Sequence, residues 1–405
     1  MNAPQTLNAR QIRTLITLSF GAFASQASVR LCDPMLPQLS TELGGSLGQA
    51  AQTITAFAIA YGLFQLIHGP MGDRFGKLRW VRYTTFLAAI GSLACMFAAT
   101  LAQLITLRFL TGAACAALIP LSLAWIGDSV PYQYRQNVLA KLMTGSTIGV
   151  VFGQVAGGVL ADTIGWRLTF GFPALVLAVV GAALLIEARR DARENPELQT
   201  PPPGPVPSPL IICRQFAGVL SVPWARILLV VVFLEGMLVY GAFAYVPSWL
   251  HLHYDMPLWQ CGLAAAGFGL GGMTYSLCSS VLINRLGERG LLIGGAGSFA
   301  IGMLMVGGNW WPLQTLWCAL AGLGFFMMHN TLQVHATQMA PDSRGTGIAA
   351  FAVGLFSGQS TGVAVGSVLV ALIGFESLLL GSSLLLLVLA GTMAWLLSRH
   401  SRAAA

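Results

Sequence analysis

Four charged side chains fall inside long apolar runs: Arg30, Asp33, Arg108 and Glu235. A charge in hydrocarbon is costly, so such residues mark proton, ion or solute pathways by default. Arg30 and Asp33 are three apart and share a helix face. Asp33 lies ~6 Å below the end of its run, and Arg108 ~9 Å below the end of another. Opposite charges at one depth are expected to be partners. A carboxylate held by an arginine ionises readily, and it takes up a proton when the base moves off or the site dries. That is proton coupling in its simplest form, with Asp33 as carrier and Arg108 as its tuning charge. The competing reading is a static buried ion pair that fixes packing.

Glu235 stands ~15 Å into its run, with no base near it in sequence, and is expected to be a second proton site or a solute contact. His329, Asn330 and His335 share a later run. Histidines six apart do not share a helix face, so they are not read as a metal site, and His335 is expected to cap its helix end. His329 and Asn330 join Tyr61, Gln65 and Tyr240 as candidates for lining a solute cavity. His251-x-His253 with Asp255 has the outline of a metal loop but is read as solvated filler. No metal and no cofactor are expected. There is no GxxxxGK[ST] stretch for ATP and no nucleophile–base pair at workable spacing, so an enzyme is not expected.

The elements that must position these residues are set by composition. Of 405 residues 56% are hydrophobic and only 9% charged, against about 25% charged in soluble chains. The mean hydropathy is +0.73. So few charges cannot cover a surface in water, and lipid must be the solvent for much of the chain. The net charge of +7 does not point to nucleic acid, because the bases lie between apolar runs and not on one face. The seven cysteines stand singly, with no CxxC, and are read as small buried hydrophobes.

Twelve runs of spanning length are expected, near 12–37, 50–70, 79–100, 102–126, 138–161, 166–187, 225–250, 259–283, 289–309, 311–338, 346–373 and 376–398. Of the 21 basic residues, 18 then fall on the side of the two tails, Arg167 alone on the other, and Arg30 and Arg108 within spans. Bases collect on the cytoplasmic side, so both termini are expected there. The first run, with Arg10 and Arg13 before it, has the outline of a secretory signal, but its pattern continues to Pro37 and it is expected to be retained. Residues 188–224 are the one long connection. Their prolines and charges predict a wet, partly extended linker between two halves, 1–187 and 225–405.

The halves repeat. Gly145, Gly149, Gly153 and Gly157 recur every four residues, and Gly354, Gly358, Gly362 and Gly366 do the same 209 residues later. Such ladders let helices approach closely; they are expected to line the surfaces on which one half slides against the other. A charged turn, Gly69-Pro-Met-Gly-Asp73-Arg74-Phe-Gly76-Lys77, reappears 211 residues on as Asn284-Arg285-Leu-Gly287-Glu288. Asp73 is expected near the start of the helix after Arg344, and Arg74 beside Asp128. Such contacts would act as a latch between two arrangements of the halves.

Gly69-x-x-x-Asp73-Arg74-x-Gly76-Lys77 resembles the signature turn of the major facilitator superfamily, and the similarity covers essentially the whole chain. Leu107-Arg108-Phe-Leu-Thr-Gly112 resembles the helix-four arginine motif of its proton-coupled members. Gly145 to Gly158 resembles the helix-five motif of its antiporters, except that Gln154 stands where drug antiporters usually carry proline. The resemblance implies an all-α membrane fold of two six-helix bundles around a midplane cavity. It also implies a monomeric secondary transporter in the cytoplasmic membrane that moves a small organic solute. Proton-coupled efflux of the drug and sugar type is the first expectation, and proton-coupled import is the alternative. The expected partners are the solute, protons and the bilayer.

Overall fold

The computed structural model describes residues 8–194, 209–340 and 344–404, and every regular element among them is an α-helix. Lipid leaves no other open solution, because a helix satisfies its own backbone groups. The N-terminal half holds α1 (Ala9–Arg30), α2 (Leu36–Glu42), α3 (Leu47–Phe75), α4 (Lys77–Cys95), α5 (Leu101–Cys115), α6 (Leu118–Ser129), α7 (Tyr132–Ile164), α8 (Trp166–Thr169) and α9 (Gly171–Glu194). The C-terminal half holds α10 (Pro209–Ser221), α11 (Pro223–Phe243), α12 (Val246–Tyr254), α13 (Leu258–Met305), α14 (Trp311–Ala336) and α15 (Arg344–Ala404).

Eight helical stretches among the described residues are long and apolar enough to cross a membrane. Two of them, Leu258–Met305 and Gly345–Arg399, have 48 and 55 residues. At 1.5 Å per residue these measure ~72 and ~83 Å, more than twice a ~30 Å hydrocarbon core. Each is broken once, at Gly287 (φ 62°) and Gly374 (φ 82°). Gly76 (φ 88°) and Gly165 (φ 85°) make the matching breaks in the N-terminal half. A side chain is strained at such φ values, so glycine is required there. The two pairs repeat at the offsets already seen in the sequence, 211 and 209.

Three expectations change. The first run is not one helix: residues 31–35 are turns between α1 and α2. Pro34 lacks an N–H and disfavours helix at the residue before it, Asp33. Second, the partly extended linker is entered by helix from both ends. Its segment 195–208, which carries most of the prolines, lies outside the described residues, but α9 runs to Glu194 and Pro209 opens the 13-residue helix α10. Third, of the cysteines read as buried, Cys278 is exposed, and Cys213 lies among side chains outside the described set.

The glycine ladders pack inside each half, not between halves. Gly145, Gly149, Gly153 and Gly157 face the backbone of Ser19, Phe23, Ala27 and Leu31 on or just after α1. Gly354 faces Val232 and Leu229, while Gly358, Gly362 and Gly366 face Phe233, Met237 and Gly241, all on α11. A Cβ at Gly145 would stand 2.7 Å from the Ser19 carbonyl oxygen. The four-residue rhythm on one helix meets the same rhythm on its neighbour, so the seam is continuous.

The halves meet through other residues. On α7 these are Val151, Gln154 and Gly158, against Gly269, Gly262 and Leu258 of α13. On α3, Gly48 and Gly62 face Ser367 and Phe356 of α15, and Ser360 Oγ donates to Thr55 O at 3.1 Å. Trp259 N–H reaches Asp162 Oδ2 at 3.4 Å. These contacts run from mid-membrane to the end carrying Glu42, Trp166 and Arg167, where Trp166 Nε1 donates to Glu42 Oε2 at 2.8 Å. The end carrying the N-terminus is tied within its own half, by Arg10–Asp191 at 2.6 Å and Arg13–Glu187 at 2.9 Å.

Candidate functional site

Asp33 sits in the break between α1 and α2 and is fully buried. Arg30, 5% exposed, brings Nη1 to 3.6 Å from Asp33 Oδ2, and Gln154 Nε2 from α7 donates to the same oxygen at 2.8 Å. Asp33 Oδ1, Gln154 Oε1 and Arg30 Nη1 are buried without a hydrogen-bond partner. The Arg30 guanidinium lies 4.0 Å above the ring of Tyr240 on α11. A cation over an aromatic face is an attractive contact, and this one joins the two halves at the depth of the acid.

Arg108 does not pair with Asp33. Its Nη2 donates to Ser28 O at 2.9 Å and its Nε to Thr53 O at 3.4 Å, with the guanidinium 4.1 Å over Phe57. The reason lies in the broken helix. The last carbonyls of α1 have no partner in their own helix, and Ser28 is one of them, so Arg108 caps α1 while Arg30 and Gln154 take the carboxylate.

Glu235 has the base that its sequence neighbours lack. His329 Nδ1 of α14 stands 2.9 Å from Glu235 Oε2. The His329 ring stacks on Phe325, 5.0 Å between centroids, and Phe325 in turn lies 5.2 Å from Tyr240. Asp33, Arg30, Tyr240, Phe325, His329 and Glu235 therefore form an unbroken line of contacts from one half to the other.

The remaining candidates divide. The ring of Tyr61 lies 4.6 Å from that of Phe356 across the halves, with its hydroxyl near Gln26. Gln65 is half-buried with no bond assigned to its side chain among the described residues. Asn330 turns back to Phe326 O at 2.9 Å. His335 meets Glu288 at 3.3 Å rather than capping its own helix. His251 is held by Met256 O at 2.7 Å and His253 stacks on Trp249.

At the charged turn, Asp128 pairs with Lys77, not Arg74. Lys77 also reaches Asp73 at 3.6 Å, while Arg74 folds over Phe75 at 4.9 Å. Gly76 ends α3, and its positive φ swings the chain so that Lys77 opens α4 beside the end of α6. Gly69 has open space around it. Asp73 is 73% exposed, and the Arg344 side chain lies outside the described residues.

The sequence profile of the Major Facilitator Superfamily matches residues 18–341 and 260–405. This chain belongs to that superfamily. The transporter is 26% identical over 347 residues to an uncharacterized MFS-type transporter, YceJ of Bacillus subtilis, covering 83% of each chain. Against a second one from the same organism, YwfA, it is 24% identical and spans 66% of that protein. The multidrug export protein EmrB of Haemophilus influenzae is 30% identical over 38% of this chain and 30% of its own length. Among solved structures, the nucleoside transporter NupG superposes with a TM-score of 0.72 at 12% identity, covering 94% of this chain and 98% of that one. A bacterial homologue of the lysosomal transporter Spinster, inward-facing and unoccupied, gives 0.70 at 16% identity. Both likenesses concern the fold. The superfamily consists of multi-pass membrane transporters of small molecules, so the transporter is not an enzyme.

In the sequence Gln154 stands out only as a missing proline. Its signal was a carboxamide in the middle of a glycine-rich spanning run, one of the polar types that needs a partner there.

Proposed function

We propose that this transporter exports a small organic solute in exchange for protons, by alternating access, as a monomer in the cytoplasmic membrane. The observation that carries the reading is Asp33: a buried carboxyl in a helix break, held by Arg30, whose guanidinium also rests on Tyr240 of the other half. Protonation of Asp33 frees Arg30 from its counter-charge, and a change in that contact is a change in how the halves meet. The Glu235–His329 pair is the second site able to hold a proton or a solute. Efflux draws support from the export function named for EmrB and from the helix-five motif; the opposite direction is import by symport.

The chain crosses the membrane twelve times in two six-helix bundles, residues 1–187 and 225–405, joined by 188–224. The breaks at Gly287 and Gly374 divide α13 and α15 into two crossings each, and α1 with α2 and α4 supply the two outside the eight. Both termini are cytoplasmic. A phosphatase active only in the periplasm is therefore inactive when fused after Arg402 and active after Pro257; the reverse pattern would sink this orientation.

The arrangement described is the one open toward the cytoplasm. Bundle contacts gather at the other end, and Asp73 is left exposed with Lys77 as its partner. In the opposite arrangement Asp73 docks at the start of α15, where a carboxylate suits the helix dipole. Asp73→Asn consequently slows turnover while solute affinity stays near wild type. A loss of affinity above tenfold, ~1.4 kcal/mol, in folded protein argues against the latch.

The test of the function is solute-triggered pH change in everted vesicles energised to an acid interior. An exporter that exchanges protons discharges the gradient when its solute is added. Solute efflux coupled to proton efflux, with no discharge on addition, identifies a symporter.

A further inference from the structure

Asp33 and Gln154 are joined by one hydrogen bond, Gln154 Nε2 donating to Asp33 Oδ2 at 2.8 Å. The two atoms left over, Asp33 Oδ1 and Gln154 Oε1, are both buried and both without a partner. With Asp33 ionised, both are acceptors, since a carboxylate has no proton to give and the amide oxygen never does. Two buried unsatisfied acceptors on groups already bonded to each other are an expensive arrangement. One proton removes both faults. A protonated carboxyl donates through its O–H, and an acid and a primary amide facing each other close a ring of two hydrogen bonds, N–H to O and O–H to O.

We infer that Gln154 is the positioning residue of the proton site: the transported proton binds Asp33 Oδ1 and is held there by Gln154 Oε1. The inference rests on the reading of Asp33 as proton carrier and adds the atom and its acceptor. In the arrangement open to the outside, a proton from the water there forms one O–H bond at Oδ1 and cancels the carboxylate charge. Gln154 Oε1 accepts the new hydrogen bond, and the existing bond from Nε2 persists. Arg30 loses its counter-charge and keeps the Tyr240 face.

Among the surrounding groups, Gln154 is already hydrogen-bonded to Asp33 and has a buried acceptor to spare. Arg30 and Cys32 from the same segment, Arg108 from α5 and Tyr240 from α11 are the charged and titratable groups acting on Asp33 or on its neighbour Arg30. Arg30 and Arg108 only donate, so neither can accept the proton's hydrogen bond. Gln154 also meets the other half through its backbone. A Cβ at Gly262 of α13 would stand 2.6 Å from the Gln154 carbonyl oxygen. The acceptor of the proton and the seam on which the halves move are thus the side chain and main chain of one residue.

The experiment is pH-difference infrared spectroscopy on the full chain in lipid, read at the C=O stretch of protonated carboxyls. Wild type shows a band that grows as pH falls and that Asp33→Asn removes. In Gln154→Met, a side chain of similar size without the amide, the band persists but moves to higher wavenumber, because the carboxyl has left a doubly hydrogen-bonded ring. Gln154→Asn, which withdraws the amide by one carbon, moves it the same way and serves if the Met variant does not fold. A band that vanishes in Asp33→Asn yet stays in place in both Gln154 variants overturns the inference and leaves Asp33 as carrier. A carboxyl spectrum that Asp33→Asn leaves wholly unchanged overturns both.

Discussion

Asp33→Asn abolishes accumulation of solute against its gradient under a pH gradient, while exchange of labelled for unlabelled solute continues. The carboxamide keeps the size of the carboxyl and an oxygen to accept from Gln154 Nε2, but it cannot titrate. Exchange needs no net proton movement, so it survives loss of the titrating group. The variant resembles the protonated form, in which Arg30 already lacks a counter-charge. The stacking of Arg30 on Tyr240, at 4.0 Å, is the contact left to offset that loss. Removing one member of a buried ion pair costs about 3–5 kcal/mol where nothing compensates, and a thermal-shift measurement shows how much of that the ring offsets. Concentrative transport by the variant would make Asp33 structural, and the Glu235–His329 pair would then be the site to titrate.

The second large effect separates two adjacent glycines. Gly157 faces Leu31 O and Pro34 in its own half, whereas Gly158 faces Leu258 and Gly262 of the other; a Cβ at Gly158 would stand 2.9 Å from Gly262 Cα. Valine at either place meets backbone, which cannot rotate away, and overpacking typically costs about 1–3 kcal/mol. Gly157→Val strains α7 against the segment after α1 in every arrangement of the halves, so it lowers the melting temperature. Gly158→Val strains only the arrangement in which the end near Trp259 is closed. It leaves each half intact, holds that end open and stops net transport with little change in melting temperature. Equal losses of stability in the two variants would mean that α7 and α13 do not separate during transport.

Gln154, Gly157 and Gly158 also show how far the sequence could be read. The ladder rhythm pointed to close packing, because a four-residue repeat of glycine lets helix backbones approach. It could not say against which helix. Every residue of a helix faces some neighbour, and the neighbour's identity depends on how the helices are arranged around one another. The expected Arg108–Asp33 pair failed for a related reason. Depth in the membrane was estimated from straight helices, and the turn at 31–35 frees the Ser28 carbonyl that Arg108 takes instead. Lys77 displaced Arg74 at Asp128 because the positive φ of Gly76 turns the chain after Arg74.

By itself the sequence determined the solvent, the helical class, the repeat and the short list of buried charges. Each follows from composition and period, and lipid forbids an unpaired backbone or an idle charge whatever the packing. Partnership was decided only in the tertiary structure. Gln154 is 121 residues from Asp33 and His329 is 94 from Glu235, and no local rule relates such distances. Arg30 reaches Tyr240 only because the two halves meet at that depth. The acid is legible in one dimension, and what holds its proton is legible in three.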